Sequence, residues 1–138
     1  MPKVFVDTNI LAYAIDAHNP ARRKRSQQSL RDLSKDDGGV ISTQVLQEFY
    51  VVATKKLGVE PLLAKGMLHG FESFETVIVD QALIKDAIDC SVLNKISFWD
   101  GLIVVSAESA KCEKIWTEDL NPGQTINGML IENPLRVA

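Results

Sequence analysis

The sequence predicts a three-layer α/β/α domain built around a central, mostly parallel sheet, and three observations predict it. Short apolar runs alternate with longer helix-patterned segments along the whole chain. Strands separated by helices call for right-handed crossovers and parallel pairing. The runs "VFV", "TVIV" and "KIW" read as strands buried on both faces, as a helix-covered sheet requires. No repeat, low-complexity tract or linker-like composition shift interrupts the 138 residues, so residues 1–138 read as one domain, long enough to bury roughly 68% of its unfolded surface.

The elements follow in order. "KVFV" is a strand, and "NILAYAID" after it is helical. In "HNP", Asn19 supplies a cap and Pro20 a first helical turn, so residues 20–35 read as a polar helix that ends before "DDGG". "GVIS" is a short strand, and residues 43–57 form a helix that stops at Gly58. Pro61 opens a further helix to about Ser73, on which Gly66 and Gly70, four apart, mark a place for close helix packing. "ETVIVD" is a strand and residues 81–93 a helix. "SFWDGLIVVSAESAK" is a helix, "KIWTED" a strand, and "GMLIEN" a last strand before Pro134.

Composition narrows the classes of function. Hydrophobic residues make up 46% and charged residues 24%, the mix of a soluble globular protein. No apolar run approaches the roughly 18 residues that span a bilayer, and there is no signal-peptide pattern. No membrane association and a cytoplasmic location are therefore expected. Cys90 and Cys112 lack CxxC spacing and fall in apolar helical segments, which reads as two buried free thiols. A net charge of −3 argues against a protein that grips nucleic acid by neutralising its backbone. It leaves room for an enzyme acting on nucleic acid, because two bound divalent cations would more than offset it. No GxxxxGK, GxGxxG or HExxH stretch supports nucleotide binding or zinc hydrolysis.

Four carboxylates stand out from this background. Asp7 closes the first strand in "VFVDTN", where ligands of open parallel sheets bind; it serves equally as a cap for the helix that follows. Glu48 lies between Val45 and Val52 on the apolar stripe of its helix. A lone carboxylate there needs a partner, either a buried cationic side chain or a metal ion. Asp100 sits three residues after Ser97, the spacing of a capping box, yet the turns that follow are apolar all round. That helix is therefore buried, and its start faces a crevice. Asp119 ends "KIWTED", past a strand end as Asp7 is, or it initiates the turn at "LNP". Strand alternation sends Glu118 and Asp119 to opposite sides, so Glu118 is expected to point away from any shared site. Four carboxylates meeting without cations would repel and raise one another's pKa values. Hard divalent ions with oxygen ligands remove the conflict. Two such ions about 3.5–4 Å apart can activate water and hold a leaving oxygen in phosphodiester hydrolysis.

These same residues carry a resemblance. "VFVDTNIL", "QEF", "FWDGLIVVSA" and "IWTEDLNPGQTINGMLIENP" resemble, in order and over essentially the whole chain, the PIN-domain ribonucleases of the VapC type, toxins of prokaryotic toxin–antitoxin modules. The resemblance implies that Asp7, Glu48, Asp100 and Asp119 hold Mg²⁺ or Mn²⁺, with Asn9, Ser97 and Thr117 as nearby polar groups that orient ligands or contact phosphate. It also implies hydrolysis of RNA phosphodiester bonds, a homodimer, and a cognate antitoxin as protein partner. Gly101 follows Asp100 where relatives are expected to carry alanine, a change that would loosen the helix start while removing no ligand.

The remaining features fit around this reading. "RRKR" at residues 22–25 is a solvated helix face, or places Arg22, Arg23 or Arg25 at the cleft edge to meet phosphate or the antitoxin. His18 and His69 are isolated and read as structural. Competing classes fare less well. An aspartate-based phosphatase would need a second Asp where Asn9 stands, and a receiver-type phosphotransfer domain would need adjacent acidic residues that are missing. A PIN-like domain that only binds a partner would be expected to lose some of the four carboxylates. A PIN-like RNA-processing nuclease outside any toxin system shares the same chemistry and is separated by genetic context.

Overall fold

A computed structural model describes residues 2–136. Its frame is a six-stranded sheet in the order β3-β2-β1-β4-β6-β5. β1 (Val4–Val6) lies near the middle, parallel to β2 (Gly39–Ser42) on one side and β4 (Lys114–Trp116) on the other. β3 (Glu75–Val77) extends the first flank and β6 (Met129–Glu132) the second, again in parallel. β5 (Thr125–Ile126) pairs antiparallel with β6 at the edge. Phe5, Val6, Ile41, Ile115 and Ile131 are buried, as the all-apolar central runs require. Because the chain builds outward from β1 in one direction and later from β4 in the other, the crevice between their carboxyl ends is a topological switch point, the usual ligand position in such sheets.

Among the described residues, six α-helices connect and cover the strands: α1 (Thr8–Tyr13), α2 (Pro20–Lys35), α3 (Thr43–Val51), α4 (Pro61–Leu68), α5 (Gln81–Asn94) and α6 (Phe98–Ser109). α6 is the buried one. Leu102 to Ala107 are all inaccessible or nearly so, as its continuous apolar run implies. α5 packs closely along it, and Gly101 permits the approach: a Cβ there would lie 2.7 Å from the Ala87 carbonyl and 3.2 Å from the Ser91 Cβ. The glycine expected to loosen the helix start thus lies at a close contact between the two helices.

Four other expectations need correction. The helix read as residues 43–57 is α-helical only to Val51 and continues as a π-helical turn over Val52–Lys56. The helix from Pro61 ends at Leu68 and passes into a 3-10 turn, His69–Phe71. Gly66 and Gly70 pack against nothing, since a Cβ at either would have no neighbour within 4 Å. "TVIV" is an edge strand rather than one covered on both faces, with Glu75 exposed and Ile78 just beyond it 71% exposed. The β5–β6 hairpin was not foreseen, although its signal is present. Asn127 and Gly128 both adopt positive φ (50° and 83°), and a two-residue Asn-Gly loop favours such a turn. Cys90 and Cys112 are buried free thiols, as expected, and among the described residues no helix is long and apolar enough to cross a membrane.

Candidate active site

At the switch point the side chains of Asp7, Glu48, Asp100 and Asp119 line one cavity of about 600 Å³. They come from four separate places: the end of β1, the middle of α3, the first turn of α6 and the loop after β4. The ends of β1 and β4 are tied directly, because the Asp7 N–H donates to the Trp116 carbonyl at 2.9 Å.

Asp7 is only 5% exposed. Its Oδ1 accepts the Thr8 N–H at 2.7 Å and its Oδ2 accepts the Thr117 hydroxyl at 2.8 Å. Capping of α1 and a place in the cavity therefore coexist in one residue. Desolvation dominates its ionisation and pushes the pKa up to about 7; the two hydrogen bonds pull it down, and Asp119 and Glu48 push it up. Glu48 is half-buried, at the edge of the stripe formed by Val45 and Phe49. It accepts the Thr8 hydroxyl at 2.9 Å. The salt-bridge alternative is absent: no lysine or arginine pairs with Asp7, Glu48, Asp100 or Asp119 among the described residues.

The Asp100 backbone N–H is capped by Ser97 Oγ at 3.0 Å, while its carboxylate turns to the cavity. Ser97 itself does not line that cavity and acts as a helix cap. Asp119 accepts Asn9 Nδ2 at 3.2 Å, and its own N–H donates to Thr117 Oγ1 at 3.1 Å. The turn here is thus held by Thr117. Burial raises the Asp119 pKa first, and the charges of Asp100, Glu118 and Glu48 raise it further. Thr117, 1% exposed, bridges the ends of both strands, donating a hydrogen bond to Asp7 and accepting one from the Asp119 backbone N–H. No three acidic, cysteine or histidine side chains among the described residues close on a common ion position as they stand.

Several contributors escaped the sequence reading. Glu118 lines the cavity beside Asp119. Alternation fails because β4 stops at Trp116 and both acids lie in the loop beyond it. Glu118 accepts the Tyr13 hydroxyl at 3.3 Å and pairs with Arg22 at 3.6 Å. Arg22 also donates to Tyr13 at 2.8 Å and stands 5.1 Å from its ring centre. Of the basic run, Arg22 is thus fixed at the rim, while Arg23 and Lys24 face solvent and Arg25 is half-buried. Gln44, one turn before Glu48, donates to the Trp99 carbonyl at 3.2 Å and ties α3 to the start of α6. Its Oε1 and the Asn9 Oδ1 are buried without a protein partner. Both residues line the cavity. His18 and His69 do not line it.

Fold and site define the class. A family profile described as PIN domain matches residues 4–124, and the chain belongs to the PIN-domain family. Solved structures share the fold over most of the chain. DNA-bound VapBC from Salmonella typhimurium matches at 23% identity and a TM-score of 0.67, covering 97% of this chain and 99% of that one. VapBC2 from Rickettsia felis, bound to a DNA fragment from its promoter, matches at 20% identity and 0.69, over 94% and 97%. VapC20 from Mycobacterium tuberculosis, described as a sarcin–ricin loop cleaving toxin, matches at 17% identity and 0.63, over 85% and 92%. No curated protein sequence matches the chain.

Proposed function

We propose that the protein is a metal-dependent endoribonuclease that hydrolyses RNA phosphodiester bonds, and that it is the toxin of a type II toxin–antitoxin module. The observation that carries the reading is the convergence of Asp7, Glu48, Asp100 and Asp119, from four distant parts of a PIN-domain chain, on one cavity with no cationic side chain paired to any of them.

The residues present fit a divalent cation. A carboxylate as desolvated as Asp7, beside like charges, is only partly ionised at neutral pH, and added positive charge would complete its ionisation. The donors are all oxygens, which suits Mg²⁺ or Mn²⁺ and not a thiolate-seeking metal. Asp7, Glu48, Asp100 and Asp119 would hold the metal. Bound there, it would supply water activation and stabilisation of the charge that develops on the phosphoryl and leaving oxygens. The chain's own groups set the geometry. Thr8 orients Glu48, Asn9 orients Asp119, and Thr117 fixes Asp7 and the Asp119 backbone together.

The toxin assignment is supported by the likeness of fold to chains of VapBC assemblies and to VapC20, itself described as a toxin. It brings with it a cognate antitoxin, a homodimer and a cytoplasmic location as parts of the proposal. The same chemistry in an RNA-processing nuclease is the second reading, and a neighbouring gene for a small DNA-binding protein separates the two.

The test is a cleavage assay on folded RNA with exposed loops, in Mg²⁺ or Mn²⁺ and then in excess EDTA. Cleavage that needs the metal, stops with EDTA and is lost in Asp100→Asn is expected. Cleavage at an undiminished rate by Asp100→Asn protein would overturn the role given to the acidic residues.

A further inference from the structure

Trp99 is the large aromatic the proposed chemistry leaves unused. It is 60% exposed although it immediately precedes Asp100 and lines the same cavity. Leaving that much indole in water is unfavourable by the usual area relation, so its position calls for an account. The other tryptophan, Trp116, makes the contrast. It is half-buried, and its indole N–H donates to Glu132 at 3.2 Å.

The Trp99 ring has an edge-to-face neighbour in Phe98, 5.0 Å away between centroids with planes at 75°. The Trp99 backbone carbonyl accepts the Gln44 amide, which ties this start of α6 to α3 one turn before Glu48. An exposed aromatic ring beside a phosphodiester-cleaving centre is the feature on which proteins stack unpaired bases.

Charge strengthens the argument. The cavity wall carries six carboxylates, Asp7, Asp16, Glu48, Asp100, Glu118 and Asp119, against one lysine, Lys56, in a chain of net charge −3. Before any cation binds, such a wall repels a phosphate backbone. A cation held by the carboxylates would serve the scissile phosphate alone, so flanking nucleotides gain from a contact that is uncharged and sequence-tolerant, as stacking is. Trp99 and Asp100 line the same cavity, so a strand whose phosphate sits at Asp100 shares that cavity with the indole.

We infer that Trp99 is a substrate-binding platform: its exposed indole face stacks an unpaired base of the RNA strand next to the scissile phosphodiester, and so selects single-stranded or looped RNA. The inference rests on the nuclease reading above and deepens it.

Two measurements test it. The first is steady-state cleavage of a randomised single-stranded RNA oligomer by wild type, Trp99→Phe, Trp99→Leu and Trp99→Ala. Loss of one base stack raises KM about tenfold or more. Trp99→Ala and Trp99→Leu are expected to show that rise with kcat within about threefold, whereas Trp99→Phe, which keeps a π-face, recovers most of the affinity. Mn²⁺ affinity stays unchanged in all three, since the indole is no ligand. The second is photocrosslinking of the same RNA carrying 5-iodouracil, with the adduct located by mass spectrometry on Trp99.

A Leu variant as good as wild type, or crosslinks confined to other residues, overturns the inference. So does a Trp99→Ala protein with unchanged KM for RNA but altered dimerisation or protein binding, which would make the residue a protein-docking one. Should wild type cleave no RNA yet crosslink through Trp99, the nuclease reading fails while the base contact stands.

Discussion

Replacing Asp7 by asparagine should stabilise the metal-free protein while abolishing the proposed metal-dependent cleavage. Burial holds the Asp7 carboxyl at a pKa of about 7 against an ordinary 3.8. That difference corresponds to a penalty of about 4 kcal/mol on the charged form at full ionisation. Asparagine carries no charge but must rearrange its bonds to Thr8 N–H and the Thr117 hydroxyl, a loss of about 1 kcal/mol. The net gain above pH 7 is then about 3 kcal/mol, or roughly 10 °C in Tm for a domain of this size. The folded protein binds this proton more tightly than the unfolded chain, so the Asp7 contribution is fully present below about pH 4. It is lost as pH rises through about 7. Urea unfolding in EDTA across this window checks it. The advantage of Asp7→Asn over wild type should grow by about 2 to 3 kcal/mol between about pH 5 and pH 8. Added Mg²⁺ should stabilise wild type and leave the variant unmoved. A variant less stable than wild type at pH 8, or one with the same pH slope, would refute the claim that Asp7 is a desolvated charge awaiting a cation.

Three further outcomes are expected. Thr117→Val keeps shape but removes the hydroxyl that bonds Asp7 and the Asp119 backbone; metal affinity measured by calorimetry should fall about 10- to 100-fold with the fold retained. Glu48→Gln keeps volume and the Thr8 bond but removes a charge, so Mn²⁺ titration should show weaker binding at an unchanged circular dichroism spectrum, and equal affinity would count against its role. Gly101→Ala puts a methyl 2.7 Å from the Ala87 carbonyl and should cost about 1–3 kcal/mol in chemical denaturation by forcing α5 from α6.

Periodicity and local chemistry made most of the frame readable. An apolar run ending in Asp, a helix capped by Ser97 and a carboxylate on an apolar stripe all depend on neighbours within a few residues, and the structure keeps them where the sequence placed them. The misreadings have one cause. Whether "TVIV" is covered, whether Gly66 touches anything and how long the alternation of "KIWTED" persists depend on what lies across the fold. Gly101 makes the point sharply, since no local rule distinguishes a glycine that loosens a helix from one that admits another helix.

The sequence by itself determined the class: a parallel α/β frame with acids at strand ends and a helix start, because hydrophobic period and capping are short-range properties of the chain. Only the tertiary structure decided which groups share a cavity. The outward strand order from β1 and β4 sets Asp7 beside Thr117 and Asp119, and α3 against the start of α6 brings Glu48 and Trp99 to the same wall. The physical reason is that desolvation and like-charge repulsion at this site arise between residues as far apart in the chain as Asp7 and Asp119 and exist only once the chain has closed around them.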